Sequence, residues 1–352
     1  MASRRAAIIL AGGKGERFQS QPERWQDKAL VPLFGKPLLV HAVENVREVV
    51  DEIVVCVNDE KRKARYSKIL KEHGIANVKL IIDEKIDHLG GPLVAIFTGL
   101  KSVDADYCLT LPSDMPLVQP RVTEYMFDKA KDSRVVVPMW PNGRLETLVM
   151  VLEKASALEI ADTLCQLGRP RSDDLIRGAL NVIFVSIVGE ISAMDPELKS
   201  FVNINFPEDL SRLLPRQVQG TITQNQQINK GALPINELHC LRAASVLFRE
   251  NKFSEAAEAF SSCATRLEIK NSFFWAAISR ENEGKSLLSL SKRENASDLA
   301  AKQVTEGRGT LLKAAVTYGL EAEMHEECGC VFLADRARSD KLWCESRANE
   351  LK

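Results

Sequence analysis

The sequence is poor in cysteine, in aromatic residues, in long apolar runs and in any excess of one charge. Its eight cysteines among 352 residues are too sparse for a disulfide scaffold, and no two have the two-residue spacing of zinc or redox motifs. The nearest pair, Cys328 and Cys330, reads as buried small residues, and free thiols in a cytoplasmic protein are the expectation. Lys and Arg total 47 against 48 Asp and Glu, a net charge of −1, which leaves no basic footprint for nucleic acid. No apolar run approaches the roughly 20 residues that span a bilayer. The run Ala6–Ala11 behind Arg4 and Arg5 is too short for a secretory signal core. Neither membrane nor nucleic acid is an expected partner.

What is present is ordinary globular composition, 45% hydrophobic and 27% charged, at a length that favours two domains. Short β-branched runs at 6–10, 52–57, 78–82, 107–111, 134–139, 147–152 and 182–187 alternate with helical patterns near 37–49, 60–73, 91–102, 120–131 and 155–167. Pro37 stands at the opening of the first helix. This alternation predicts an α/β, Rossmann-like, mostly parallel sheet with helices on both faces. Ligands of such sheets bind beyond the carboxyl ends of the strands. A polar, glutamine-rich stretch reads as a linker over 215–235, separating a first domain, 1–214, from an all-α domain, 236–352. In the latter, two helices over 237–267 meet near Asn251 and Lys252, with Ser254 as N-cap of the second. Further helices are expected near 272–292, 295–318 and 320–350. Ala243, Phe248, Phe253, Ala256, Ala257 and Phe260 resemble one tetratricopeptide-type helix pair, but no second copy occurs at the roughly 34-residue period of such arrays, so a helical bundle is expected.

The first strand ends at Leu10 and runs into "AGGKGER". Without Cβ atoms at Gly12, Gly13 and Gly15 the backbone can turn tightly and direct N–H groups at an anion, of which phosphate is the expected one. Alone, such a loop can equally be a tight turn. It is neither G-x-G-x-x-G nor G-x-x-x-x-G-K-[ST], since Arg17 and Phe18 stand where a helix-packing glycine belongs and no Lys-Ser or Lys-Thr closes it.

Joined to "DKALVPLFGKPLL" at 27–39, this loop resembles the signature of nucleotidyltransferases that activate small phosphates, and most closely that of the molybdenum cofactor guanylyltransferases. "VNDE" at 57–60, "IID" ending at Asp83, "GGPLVAIFTGL" at 90–100, "LPSDMPLV" at 111–118 and "FVNINFPEDL" at 201–210 extend the resemblance, in family order, over residues 6–214. It implies that Leu10, Ala11 and Gly12 line a nucleotide, with Gly13, Gly15 and Arg17 around its phosphates and Lys28 reaching them as a point charge. Asn58 and Asp83 would contact guanosine, an acidic side chain being a sensible acceptor for the guanine N1–H and amino group. Gly91 and Pro92 would open a helix beside the nucleotide, and Asp114 would hold Mg2+. Asn203 and Asn205, alternate residues of an extended segment, would face the acceptor phosphate. Arg17, Lys28 and Asp114 carry the implied catalysis.

The implied reaction moves GMP from GTP to a phosphorylated acceptor, most simply molybdopterin, with release of pyrophosphate. Other acceptors (cobinamide phosphate, phospholactate, a sugar phosphate) and a GTP-sensing assembly protein acting through its helical domain are the alternatives. That domain lies outside the family pattern and is a candidate for a protein partner or for self-association. The pattern is also left at 19–26, a longer polar insertion containing Trp25, and at "RLETL" over 144–148. Arg144, Arg169, Arg171 and Lys199 are candidates for gripping an anionic acceptor, although each also reads as a surface charge.

Overall fold

The β-branched runs condense into one sheet because their residues are apolar on both sides and need covering on both. The computed structural model describes residues 3–13, 15, 18, 26–86, 89–215, 218–293 and 298–351. It begins with β1 (Arg5–Leu10), succeeded by a two-stranded hairpin of β2 (Pro32–Leu33) and β3 (Lys36–Pro37) that leads into α1 (Leu38–Val46). Then come β4 (Glu52–Val57), α2 (Glu60–Glu72), β5 (Lys79–Ile82), α3 (Pro92–Ser102), β6 (Tyr107–Pro112), α4 (Pro120–Ala130), β7 (Val135–Met139) and β8 (Met150–Glu153). After α5 (Lys154–Gln166) and α6 (Ser172–Gly178) the chain forms β9 (Asn181–Ser186), short turns α7 (Ser192–Met194) and α8 (Asp209–Arg212), and β10 (Gln226–Asn229).

The eight-stranded sheet runs β10-β9-β7-β8-β6-β1-β4-β5. β1 lies parallel to β4 and β6, β4 to β5, and β7 to β9, whereas β8 is antiparallel to both neighbours. Alternation along β1 sends Ala7 and Ile9 into the core built with α1, α2 and α4 (Val43, Tyr66, Leu70, Met126, Phe127). Ile8 points to the opposite face, where α3 crosses it at Gly99. The sheet is thus clad on both sides.

The chain separates into two compact units, Met1–Ala161 with Pro170–Gln227, and Asp162–Arg169 with Ile228–Lys352. This differs from the expected boundaries in two places. The stretch 215–235, read as a linker, is divided between the two units after Gln227, and within the first Ile222 N donates to Pro141 O at 3.0 Å and Asn225 Oδ1 accepts from Ser186 N at 2.8 Å. The eight residues Asp162–Arg169 belong to the helical unit.

That unit holds α9 (Ile235–Arg249), α10 (Phe253–Ile269), α11 (Phe273–Ser291), α12 (Asp298–Glu327) and α13 (Val331–Asn349), each packing on the one before it. The expected break at 318–320 is absent, and the chain turns instead at Cys328–Cys330, where Gly329 has φ +67°. Lys252, not Ser254, occupies the N-cap of α10. Free thiols throughout were expected, but Cys240 and Cys263 are joined by a disulfide between α9 and α10. Cys330 is buried at the N-cap of α13, and burial pushes its thiol up to about 12. Among the described residues no helix is long and apolar enough to cross a membrane.

The packing of α3 on β1 supplies a test. A Cβ at Gly99 would lie 2.3 Å from Ile8 Cγ2, and overpacking of this kind costs ~1–3 kcal/mol. The gain in helix propensity from Gly to Ala is about 1 kcal/mol, so the clash should win. Gly99→Ala is expected to lower the urea midpoint of the α/β unit, read by near-UV circular dichroism; an unchanged or higher midpoint would show that Ile8 repacks freely.

Candidate active site

Backbone hydrogen bonds continue the parallel ladder past the ends of the strands and so fix the first loop residues beyond each of them. Ala11 N donates to Cys56 O at 2.9 Å, Asp83 N to Val57 O at 2.8 Å and Ser113 N to Leu10 O at 3.1 Å. The residues after β1, β4, β5 and β6 therefore open onto one cavity of about 870 Å3. Leu10, Ala11, Gly12, Gly13 and Gly15 form its floor, Asn58 and Asp83 one wall, and Lys28, Asp114 and Asn205 another. Gly91 and Pro92 stand at its rim, where Gly91 takes φ +105° to cap α3 and Pro92 fills the first helical position.

Lys28 sits on a single 3-10 turn, Lys28–Leu30, and its Nζ donates to Asp114 Oδ2 at 2.6 Å and to Asn205 Oδ1 at 3.0 Å. Asp114 is held two residues past β6, and its carbonyl accepts from Ile204 N at 2.9 Å. One carboxylate oxygen is thus occupied by an ammonium group. The other, Oδ1, is buried with no hydrogen-bond partner among the described residues, an acceptor that a hard cation would satisfy. No group of three or more His, Cys, Asp or Glu side chains gathers to hold a metal among the described residues. An ion at Asp114 would therefore draw its remaining ligands from phosphate and water, the usual habit of Mg2+.

Asp83 lies in the same cavity, against the glycine loop. Its Oδ1 is buried without a hydrogen-bond partner among the described residues, and burial raises its carboxyl to about 6. A Cβ at Gly12 would stand 3.0 Å from Asp83 Oδ2 and 3.5 Å from Asn58 N; glycine here is what lets loop and carboxylate approach.

The structure thus brings Leu10, Ala11, Gly12, Gly13, Gly15, Lys28, Asn58, Asp83, Gly91, Pro92, Asp114 and Asn205 to one cavity. Asn203 is not among its lining. The segment 202–205 alternates, with Val202 and Ile204 buried and Asn203 exposed on the side of Asn205. Arg17 lies outside the described residues, as do Trp25 and nearly all of the 19–26 insertion. Of the basic candidates, Arg169 pairs with Asp340 at 2.7 Å inside the helical unit, Arg171 with Asp173 at 2.9 Å and Lys199 with Glu197 at 2.8 Å. Sequence reasoning passed over Ile86 and Leu89, which bridge to each other and line the cavity beside Asp83. The signal was there, two apolar residues in an otherwise polar stretch just before Gly90 and Gly91.

A cavity at the ends of parallel strands, with glycines along its lining and a lysine bonded to a carboxylate whose other oxygen is open to a cation, has the makings of a nucleotide-dependent transferase site. Residues 7–179 match the MobA-like NTP transferase domain. The chain is 32% identical over 213 residues to a probable molybdenum cofactor guanylyltransferase of Methanosarcina acetivorans, 60% of this chain and 90% of that one. It is 29% identical over 215 residues to the molybdenum cofactor guanylyltransferase of Shewanella pealeana, 60% of this chain and 95% of that one. Among solved structures, molybdopterin-guanine dinucleotide biosynthesis protein A from Archaeoglobus fulgidus matches at 24% identity and a TM-score of 0.48, over 59% of this chain and 96% of that one. The chain belongs to the MobA-like NTP transferase family, and it is a nucleotidyltransferase of the EC 2.7.7 class.

The raised Asp83 carboxyl makes stability depend on pH. Because its folded value, about 6, lies above the ordinary 3.8, its contribution is fully present below the unfolded value and is lost as pH rises through the folded one. Asp83→Asn should therefore melt higher than the natural protein at pH 8, with the difference vanishing toward pH 4. A difference in melting temperature that stays constant across this range would assign the effect to packing instead.

Proposed function

We propose that this nucleotidyltransferase moves GMP from GTP to molybdopterin, forming the guanine dinucleotide of the cofactor and releasing pyrophosphate in the cytoplasm. The observation that carries the reading is that one cavity joins a half-buried carboxylate suited to guanine, Asp83, to phosphate-directed residues, Gly13, Gly15, Lys28 and Asp114. The names of the curated relatives support the choice of nucleotide and acceptor.

In this reading the ionised Asp83 accepts from the guanine N1–H and amino group while Asn58 meets the guanosine beside it. Ile86 and Leu89 give the base an apolar wall. The backbone N–H groups of Gly13 and Gly15 take phosphate oxygens, with Arg17 assigned to the same phosphates by the family pattern. Mg2+, held by Asp114, supplies charge neutralisation of the phosphates when bound. A terminal phosphate oxygen of the acceptor attacks the α-phosphorus of GTP, and the bond from that phosphorus to the departing pyrophosphate breaks in line. Lys28 offsets the negative charge that gathers on the phosphates, and Asn205 holds the lysine in place at 3.0 Å. Positioning and electrostatics carry the step, and no covalent enzyme intermediate or base is needed.

The test is pyrophosphate release from each of the four nucleoside triphosphates with Mg2+ and a panel of phosphorylated acceptors. Release with GTP and molybdopterin is expected; release with cobinamide phosphate, phospholactate or a sugar phosphate instead would reassign the acceptor. Loss of one preorganised charge from such a site costs about 100- to 1,000-fold in turnover. Asp114→Ala should show this while weakening GTP binding far less, and Lys28→Ala should impair both. Turnover of Asp114→Ala near the natural rate would remove the metal from Asp114.

A further inference from the structure

Asp27, which lines the cavity beside Lys28, belongs to a buried polar cluster that the proposed chemistry leaves unused. Asp27 is 5% exposed, Arg62 7% and Tyr66 0%. Tyr66 Oη donates to Asp27 Oδ1 at 2.8 Å, and Arg62 Nε stands 3.7 Å from Asp27 Oδ2. The same guanidinium reaches across to the glycine loop, where its Nη1 donates to Gly13 O at 3.0 Å. Arg62 is itself anchored, its backbone N donating to the Asp59 side chain at 2.8 Å, one residue beyond Asn58.

A buried ion pair is a weak source of stability, because desolvation cancels most of its attraction. What this pair does is geometric. Asp27 immediately precedes Lys28, and its carbonyl accepts from Leu30 N at 2.9 Å, closing the turn that presents the lysine. Arg62 ties the same aspartate to the loop on the other side of the phosphate site. Asp27 thus links the two structures that are to grip the triphosphate, its backbone closing the Lys28 turn and its carboxylate facing the guanidinium that bonds the glycine loop, and Tyr66 fixes the orientation of that carboxylate. Burial and the Asp27 charge both raise the Tyr66 hydroxyl above its ordinary range, so it remains a donor to that carboxylate.

We propose that Asp27 is a positioning residue for nucleotidyl transfer: with Arg62 and Tyr66 it sets the separation between Gly13 and Lys28 at which a nucleoside triphosphate is held. The inference rests on reading Gly13 and Lys28 as ligands of the triphosphate. Its signature is selectivity, since the two arms face the phosphates and loosening them weakens the hold on GTP more than the hold on the nucleoside alone.

The experiment compares GTP and guanosine, each with Mg2+, by calorimetric titration of the full chain carrying Asp27→Asn, Tyr66→Phe, Arg62→Lys or Arg62→Ala. Asp27→Asn keeps the shape and the acceptor for Tyr66 but removes the charge facing Arg62. Losing about 1.4 kcal/mol of charge attraction across this ion pair corresponds to about tenfold in affinity. That loss is expected for GTP with guanosine unchanged, a smaller loss for Tyr66→Phe, and a milder effect of Arg62→Lys than of Arg62→Ala. Both titrations use the same folded sample, so the ratio of affinities is insensitive to partial unfolding of any variant. Equal weakening of GTP and guanosine, or GTP binding unchanged in Asp27→Asn, overturns the proposal. If the natural protein itself fails to prefer GTP over guanosine, the phosphate reading falls and the proposal with it.

Discussion

A single ammonium group holds together three remote stretches of the chain. Lys28 Nζ lies 2.6 Å from Asp114 Oδ2 and 3.0 Å from Asn205 Oδ1, partners 86 and 177 positions away in sequence. This contact also defines what the site lacks. A lysine and a divalent cation on opposite oxygens of one carboxylate repel each other, and one negative charge does not compensate both. A polyanion laid against them does, so cation and triphosphate should each strengthen the hold on the other.

The sheet makes this arrangement possible by delivering its parallel strand ends to one rim, and the reversed strand β8 adds to it from the opposite direction. Thr110 pairs with Met150 and Tyr107 with Glu153, so it is the beginning of β8 that lies at the rim. The segment leading into it is therefore the one at the site: Leu148 lines the cavity, and its carbonyl accepts from Thr110 Oγ1 at 3.0 Å. One step earlier, Trp140 Nε1 donates to Glu146 Oε1 at 2.6 Å. The residues at 144–148, where the sequence leaves the family pattern, are thus fixed by the scaffold rather than hung from it.

Much of this was legible in the sequence, and the reasons differ from element to element. The parallel strands announce themselves because burial on both faces demands unbroken β-branched runs such as "EIVVCV". The glycine loop, Lys28, Asp83 and Asp114 are legible from the strand ends and the family pattern. Asn203 and Asn205 look alike in the sequence and both lie outside the buried Val202 and Ile204, but of the two it is Asn205 that lines the cavity. The break at Cys328–Cys330 was placed too early because α12 buries residues along its whole length, leaving no turn signal stronger than Gly329. The Asp27–Arg62–Tyr66 cluster was invisible for another reason: Asp27 lies 35 positions from Arg62 and 39 from Tyr66, and only the tertiary fold brings it within their reach.

The eight residues Asp162–Arg169 give the helical unit a discontinuous origin. Arg169 from this piece meets Glu281 at 3.5 Å and Asp340 at 2.7 Å, while Arg242 Nη1 donates to Thr163 Oγ1 at 2.9 Å. Burial alone would push the Glu281 carboxyl up, and it is Lys285 and Arg169 that bring it below its usual range. A fragment severed at residue 236 would carry all five long helices and still be incomplete, with Glu281 buried and one of its two cations missing. The polypeptide cannot be divided into an enzyme and an appendage by a single cut.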